Sequence, residues 1–189
     1  MNAIQQSALI LDLAAHLRNC GSWAGETHVQ KGAYLLQNLL GVPAGFEFVL
    51  YKHGPFSFDL RDALGQMEAE RFIELREQPY PYGPKIFEGR TAQTLRRFAG
   101  PQQYEPHLTF LSRQLGNANV SELERVATAL YVTLDPEIAP AARVNRLVEL
   151  KPHIPVAEAP AAFRRLEDIR SAALTAGLTP AIGPVTLTD

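Results

Sequence analysis

Cysteine is almost absent from this 189-residue chain: Cys20 stands alone. An internal disulfide and a cysteine-based zinc ligand set are therefore excluded. No apolar run approaches the roughly 20 residues of a membrane-spanning helix. Met1 to Gln6 contains no basic residue, so no secretory leader is expected and the expected compartment is the cytoplasm. Neither sign of charge dominates. Lysine and arginine number 18, aspartate and glutamate 20, and the formal net charge is −2. Residues 1–100 hold ten basic and ten acidic side chains, and residues 101–189 hold eight and ten. A whole-chain basic footprint for nucleic acid is excluded, which leaves only a local patch. There is no phosphate-loop or dinucleotide fingerprint. What is present is ordinary for a globular protein: 46% hydrophobic and 20% charged residues, enough chain for one or two small domains with a buried core.

Proline is missing before Pro43, and this stretch reads as two helices. Ile4, Ala8, Leu11 and Ala15 recur at helical spacing, and Leu9, Ile10 and Leu13 widen the stripe, so the first helix is buried on more than one side. Cys20-Gly21 ends it. Thr27 followed by Gln30 has capping-box spacing and predicts the start of the second helix, with Val29, Ala33, Leu36 and Leu40 inward and Gly41 as the stop. The period then changes to two. Phe46, Phe48 and Leu50 alternate with Glu47, Val49 and Tyr51, which predicts a strand over 46–52 broken by His53-Gly54-Pro55. Ser57 is a natural N-cap for a third helix carrying Leu60, Ala63, Leu64 and Met67. Two short strands, 71–76 and 85–88, flank the turn Pro79-Tyr80-Pro81-Tyr82-Gly83-Pro84. Helix, helix, strand, helix, strand, turn, strand is the order of a winged helix-turn-helix.

From Thr91 onward only helices are expected. Leu108, Leu111 and Leu115 form one stripe. Ser121 and Glu124 form a second capping-box pair before Leu123, Val126, Ala127, Leu130 and Leu134. Val144, Leu147 and Val148 belong to a further helix, and Leu166, Ile169 and Ala173 to the last. The fold class is α+β, mostly helical, with a winged-helix-like domain over 1–92, a helical domain over 93–178 sharing its core, and a frayed tail over 179–189.

Three stretches carry a family resemblance. They are Val29-Gln30-Lys31, then Tyr51-Lys52-His53-Gly54-Pro55-Phe56-Ser57, then Leu123 to Tyr131 followed by Leu150-Lys151-Pro152. Together they resemble the YwgA-like proteins and the related Panacea (SocA-like antitoxin) domain over roughly residues 9–169. Val29 stands in place of leucine, His53 in place of an aromatic residue, and Phe56 in place of tyrosine. The resemblance implies a winged-helix-like domain with a helical extension. It also implies, by analogy, a protein that neutralises a toxin through direct contact, with no catalytic activity.

The candidate partner-binding residues are Gln30, Lys31, Tyr51, His53, Gly54, Pro55, Ser57, Tyr80 and Tyr82. Gln30 is also accounted for by its cap, Lys31 by a solvated face, and the loop from Tyr51 to Ser57 by a rigid turn. Lys31 beside the amides after Ser57 would make an anion site. Rigid tyrosines at Tyr80 and Tyr82 suit a protein interface. A triad of His53, Ser57 and Asp59 is discounted because its members share one turn. Cys20 has no base to activate it. Asp12 and His16 lie one turn apart and fit a surface ion pair better than a metal site.

A DNA reader would use the third helix. That helix carries Asp59, Asp62, Glu68 and Glu70 against Arg61 alone, which repels phosphate. Basic candidates for nucleic acid are Arg76, Lys85, Arg90, Arg96 and Arg97; Arg143, Arg146, Arg164 and Arg165 form a second mixed patch. The expected function is a non-enzymatic interaction or regulatory module, antitoxin-like or part of a defence operon, with a protein partner, room for a homodimer, no membrane and no cofactor. The alternative is a winged-helix transcription regulator. A weaker third is an enzyme with a small-molecule pocket.

Overall fold

The first helix, α1 (Ala3–Asn19), starts at a capping box in which Asn2 and Gln5 exchange side-chain-to-backbone hydrogen bonds. Its buried residues include Leu9, Ile10, Leu11, Leu13 and Leu17, so the wide apolar stripe is a helix enclosed on several sides. The computed structural model describes residues 1–80, 82–100 and 102–186. Pro81 of the aromatic turn and residues 187–189 of the expected tail lie outside the described residues.

The second helix corrects an expected boundary. α2 (Glu26–Asn38) begins after Gly25, with no side-chain cap, and Thr27 does not cap it. Gln30 lies two residues too deep for that role and is buried in the core, 0% exposed. The expected strand over 46–52 is shorter, β1 (Val49–Tyr51), and the segment read as its break is itself a strand, β2 (Gly54–Phe56). The two pair antiparallel, Tyr51 opposite Gly54. Phe46 is drawn out of the strand because Gln37 takes both of its backbone groups, at 3.0 and 2.8 Å.

α3 (Phe58–Ala69) has the expected N-cap: Ser57 Oγ accepts from the Leu60 amide at 3.2 Å, and Leu60, Leu64 and Met67 are buried. β3 (Ile73–Arg76) and β4 (Lys85–Glu88) form a second antiparallel hairpin. The two hairpins are separate two-stranded sheets. Among the described residues, 57% are helix and 8% strand, so the class is α+β and mostly helical.

The remaining helices are α4 (Ala92–Ala99), α5 (Glu105–Leu115), α6 (Val120–Leu134), α7 (Arg143–Leu150) and α8 (Ala159–Thr175). α6 corrects a second cap. Asn119 and Glu122 form the box, at 3.0 and 2.8 Å, instead of Ser121 and Glu124. The expected Asp12–His16 pair also fails. Asp12 receives Arg96 Nε at 2.7 Å, and His16 lies 3.1 Å from Glu105. Residues 179–186, expected as part of a frayed tail, make hydrogen bonds to the body of the protein. The Ala181 amide donates to Leu39 O at 2.8 Å, and the Val185 amide to Glu167 at 2.7 Å, leaving Val185 buried.

One continuous core takes side chains from both halves, from Leu9 of α1 to Ala173 of α8. α6 lies at its centre, against α2, α7, α8 and β2. This placement brings the second half of the chain under the β1–β2 hairpin. Among the described residues, no helix is long and apolar enough to cross a membrane.

Candidate functional site

Gln30 and Gln37 lie two turns apart on α2 and act alike: each bonds both backbone groups of one residue in a later segment. For Gln30 that residue is Ser57, at 2.9 and 3.0 Å. Lys31, on the next position, donates Nζ to Pro55 O at 2.7 Å. From the other side Lys151, at the C-cap of α7, donates to Tyr51 O and Lys52 O at 2.5 and 2.8 Å. The hairpin is therefore clamped at both strands by side chains that reach backbone carbonyls.

The clamp is buried and charged. Lys31 is 1% exposed and Lys151 is 4% exposed, with Glu124 of α6 at 5% beside them. Lys151 Nζ lies 3.6 Å from Glu124, and the exposed His53 and His153 flank the same carboxylate at 3.8 and 3.3 Å. Two ammonium groups cannot be taken from water without compensation. The carboxylate and three carbonyls supply it. Burial still dominates: it holds Lys31 down to about 8, against an opposing pull from Glu124, and it lowers Lys151 as well. Gly54 adopts φ +83°, and a Cβ there would meet Thr128 Oγ1 of α6 at 3.1 Å. The three stretches that carry the family resemblance thus converge on one spot.

This geometry corrects the first reading of several residues. Lys31 is not a solvated lysine, and its Nζ is spent on Pro55, so an anion bound between it and the α3 amides has no access. Gln30, Gly54, Pro55 and Ser57 are buried and do not present a surface. Tyr51 and His53 are exposed above them. The sequence reading missed Phe58, and it treated Glu124 as a cap. Tyr51, Phe56 and Phe58 form one cluster with ring centroids 5.2 to 5.7 Å apart, and Arg61 lies 5.9 Å over Phe56. Tyr51 and Phe58 are each about half exposed (55% and 49%).

The second aromatic candidate lies elsewhere. Tyr80 is 98% exposed, and Tyr82 packs on Trp23 at 4.7 Å. The basic candidates for nucleic acid are mostly engaged. Arg76 pairs with Glu74 and lies over Phe87; Lys85 lies 4.1 Å over Trp23. Arg96 bridges Asp12 and Glu88, which raises it and lowers Glu88. Arg90 and Arg97 are exposed. A cleft of about 760 Å³ opens between the first turn of α2, the outer face of α3, the β3–β4 hairpin and the α5–α6 loop.

Among the described residues, no group of three or more His, Cys, Asp or Glu side chains is placed to hold a metal ion. Comparison of the chain with protein-family models, with curated proteins and with solved structures finds no match.

Proposed function

We propose that this chain is a non-enzymatic protein-binding module that regulates its partner by covering part of the partner's surface, in the manner of the antitoxin-like proteins it resembles. The observation that carries the reading is the Tyr51–Phe56–Phe58 cluster, exposed and yet fixed from beneath by Gln30, Lys31 and Lys151. Exposed aromatics on a rigid segment lose little entropy on binding and are the side chains that dominate interfaces. A buried charged clamp is a costly way to hold a loop whose only task is to connect two elements.

The neighbouring surface of α3 supports a basic partner. Asp59 and Asp62 are exposed beside the aromatic cluster. A polypeptide face bearing lysine or arginine complements them, and its cations suit the ring faces. The winged-helix reading keeps the β3–β4 hairpin as a wing after α3. Its use on DNA is disfavoured by the acidic α3 and by the engagement of Arg76, Lys85 and Arg96 within the protein itself.

The test compares wild type with the double variant Tyr51→Ser, Phe58→Ser. Each is co-expressed with the protein encoded beside it, and the products are sized by light scattering. A stoichiometric complex that the double variant loses is the expected result. A complex indifferent to both substitutions, or a duplex-DNA shift that persists at about 0.15 M salt, overturns the reading.

A further inference from the structure

The cleft beside α3 contains a residue that protein packing does not explain. Gly65 lies in the middle of α3, where glycine is unfavourable by about 1 kcal/mol relative to alanine. A Cβ built on it meets nothing within 4 Å. No neighbouring atom requires its absence, and Gly65 opens into the cleft. The missing side chain leaves a flat shelf of helix backbone next to Leu64.

The walls around that shelf are apolar and partly uncovered. Leu75 of β3 and Val120 at the start of α6 are 36% and 42% exposed, and Tyr82 is 60% exposed with its ring on Trp23. The volume, about 760 Å³, is within the usual range for small-ligand sites. Charge narrows the ligand. Glu26 lies 3.7 Å from Arg61 and also faces the positive end of α2, so these two lining charges answer each other. Asn119 and Glu122 already close the start of α6. Glu68, one turn beyond Gly65 on the same wall, has no ion pair among the described residues. His28 at the base is buried, which favours its neutral form.

We propose that this cleft is a small-molecule site for a flat aromatic amine, whose ring lies on the Gly65 shelf between Leu64, Leu75 and Tyr82 and whose ammonium faces Glu68. The site is separate from the Tyr51–Phe56–Phe58 surface and stands independently of the polypeptide-binding reading.

The protein has a single tryptophan, Trp23, on the cleft wall, so its indole N–H is a unique amide-spectrum reporter. Titrating ¹⁵N-labelled protein with tryptamine, indole and indole-3-acetate separates shape from charge. Tryptamine shifts the Trp23 side-chain signal and the Gly65 and Gly83 amides, with indole weaker and indole-3-acetate weakest. Gly65→Leu fills the shelf and weakens tryptamine by at least about tenfold. Glu68→Gln weakens tryptamine by about threefold and leaves indole unchanged. Gly65→Ala raises the thermal midpoint, showing that glycine is not kept for the fold. The proposal is overturned if these signals do not move, if Gly65→Leu binds tryptamine like wild type, or if indole-3-acetate binds as tightly as tryptamine.

Discussion

Lys31 and Lys151 grip the same hairpin from opposite ends of the chain: one Nζ reaches Pro55 O on β2, the other reaches Tyr51 O at the end of β1. Neither lysine is at the surface, and both share Glu124 as their counter-charge. Removing one member of a buried set leaves the others unpaired, which costs more than the pair contributes. Lys151→Ala is expected to destabilise the protein by about 3–5 kcal/mol in urea unfolding. Combining it with Glu124→Leu should cost less than the two single losses added together, because both changes remove the same pair. A double variant worse than the sum of its parts would show that the cluster is not held by this pairing.

Lys31 also sets a pH dependence. Its folded value, about 8, lies below its ordinary 10.5, so the unfolded chain binds more protons between those values. Stability contributed by this group is therefore complete above 10.5 and is lost as pH falls through about 8. Tyr34 works in the opposite sense: burial raises its phenol above 10, so stability falls as pH rises past that value. The clean window is pH 8 to 10. Wild type is expected to gain stability across it relative to Lys31→Met, measured by denaturant midpoints at each pH. Parallel curves for the two proteins would exclude a buried, titrating Lys31.

Asn119→Ala should cost about 1 kcal/mol and Ser121→Ala close to nothing, read from thermal unfolding. The comparison isolates why part of this fold is legible in sequence and part is not. The helix stripes of α1, α5, α6 and α8 are periodic apolar patterns, and the structure buries them except at the helix ends, where Ile4 of α1 and Leu134 of α6 are 48% and 41% exposed. The caps are ambiguous because Asn119-x-x-Glu122 and Ser121-x-x-Glu124 overlap, and both satisfy the local rule. What decides between them is tertiary: Glu124 is needed opposite Lys151. Burial of Lys31 is invisible for a related reason. Its partner is the carbonyl of Pro55, and backbone acceptors have no signature in the residue string. The Tyr51–Ser57 segment stands out in the residue string as a rigid turn, but its division into buried anchors and an exposed aromatic face required the fold.

Gly54→Ala should destabilise by roughly 1–2 kcal/mol in chemical denaturation. The position combines φ +83° with a Cβ approach of 3.1 Å to Thr128 Oγ1, so both backbone strain and contact with α6 oppose a side chain. The companion Gly54→Ala, Thr128→Ala should retain the strain and lose the contact, and so lie between the single variant and wild type.

Glu167 ties the end of the chain to α8. Arg170, the Val185 amide and Ser171 together hold its carboxyl down at about 2, against an ordinary 4.5. Its contribution is present above 4.5 and disappears as pH falls toward 2. Glu167→Ala at neutral pH, or wild type at acid pH, should lower the hydrogen-exchange protection factor of the Val185 amide while the α1 amides stay protected. Equal protection of Val185 in both proteins would mean that the segment is held by other contacts.

The two-sided grip on the hairpin has a consequence for biosynthesis. A ribosome releases α2 and the aromatic loop long before it releases α7, so an emerging chain owns one jaw of the clamp and lacks the other. The Tyr51–Phe56–Phe58 face is therefore held from both sides only after α7 has left the ribosome.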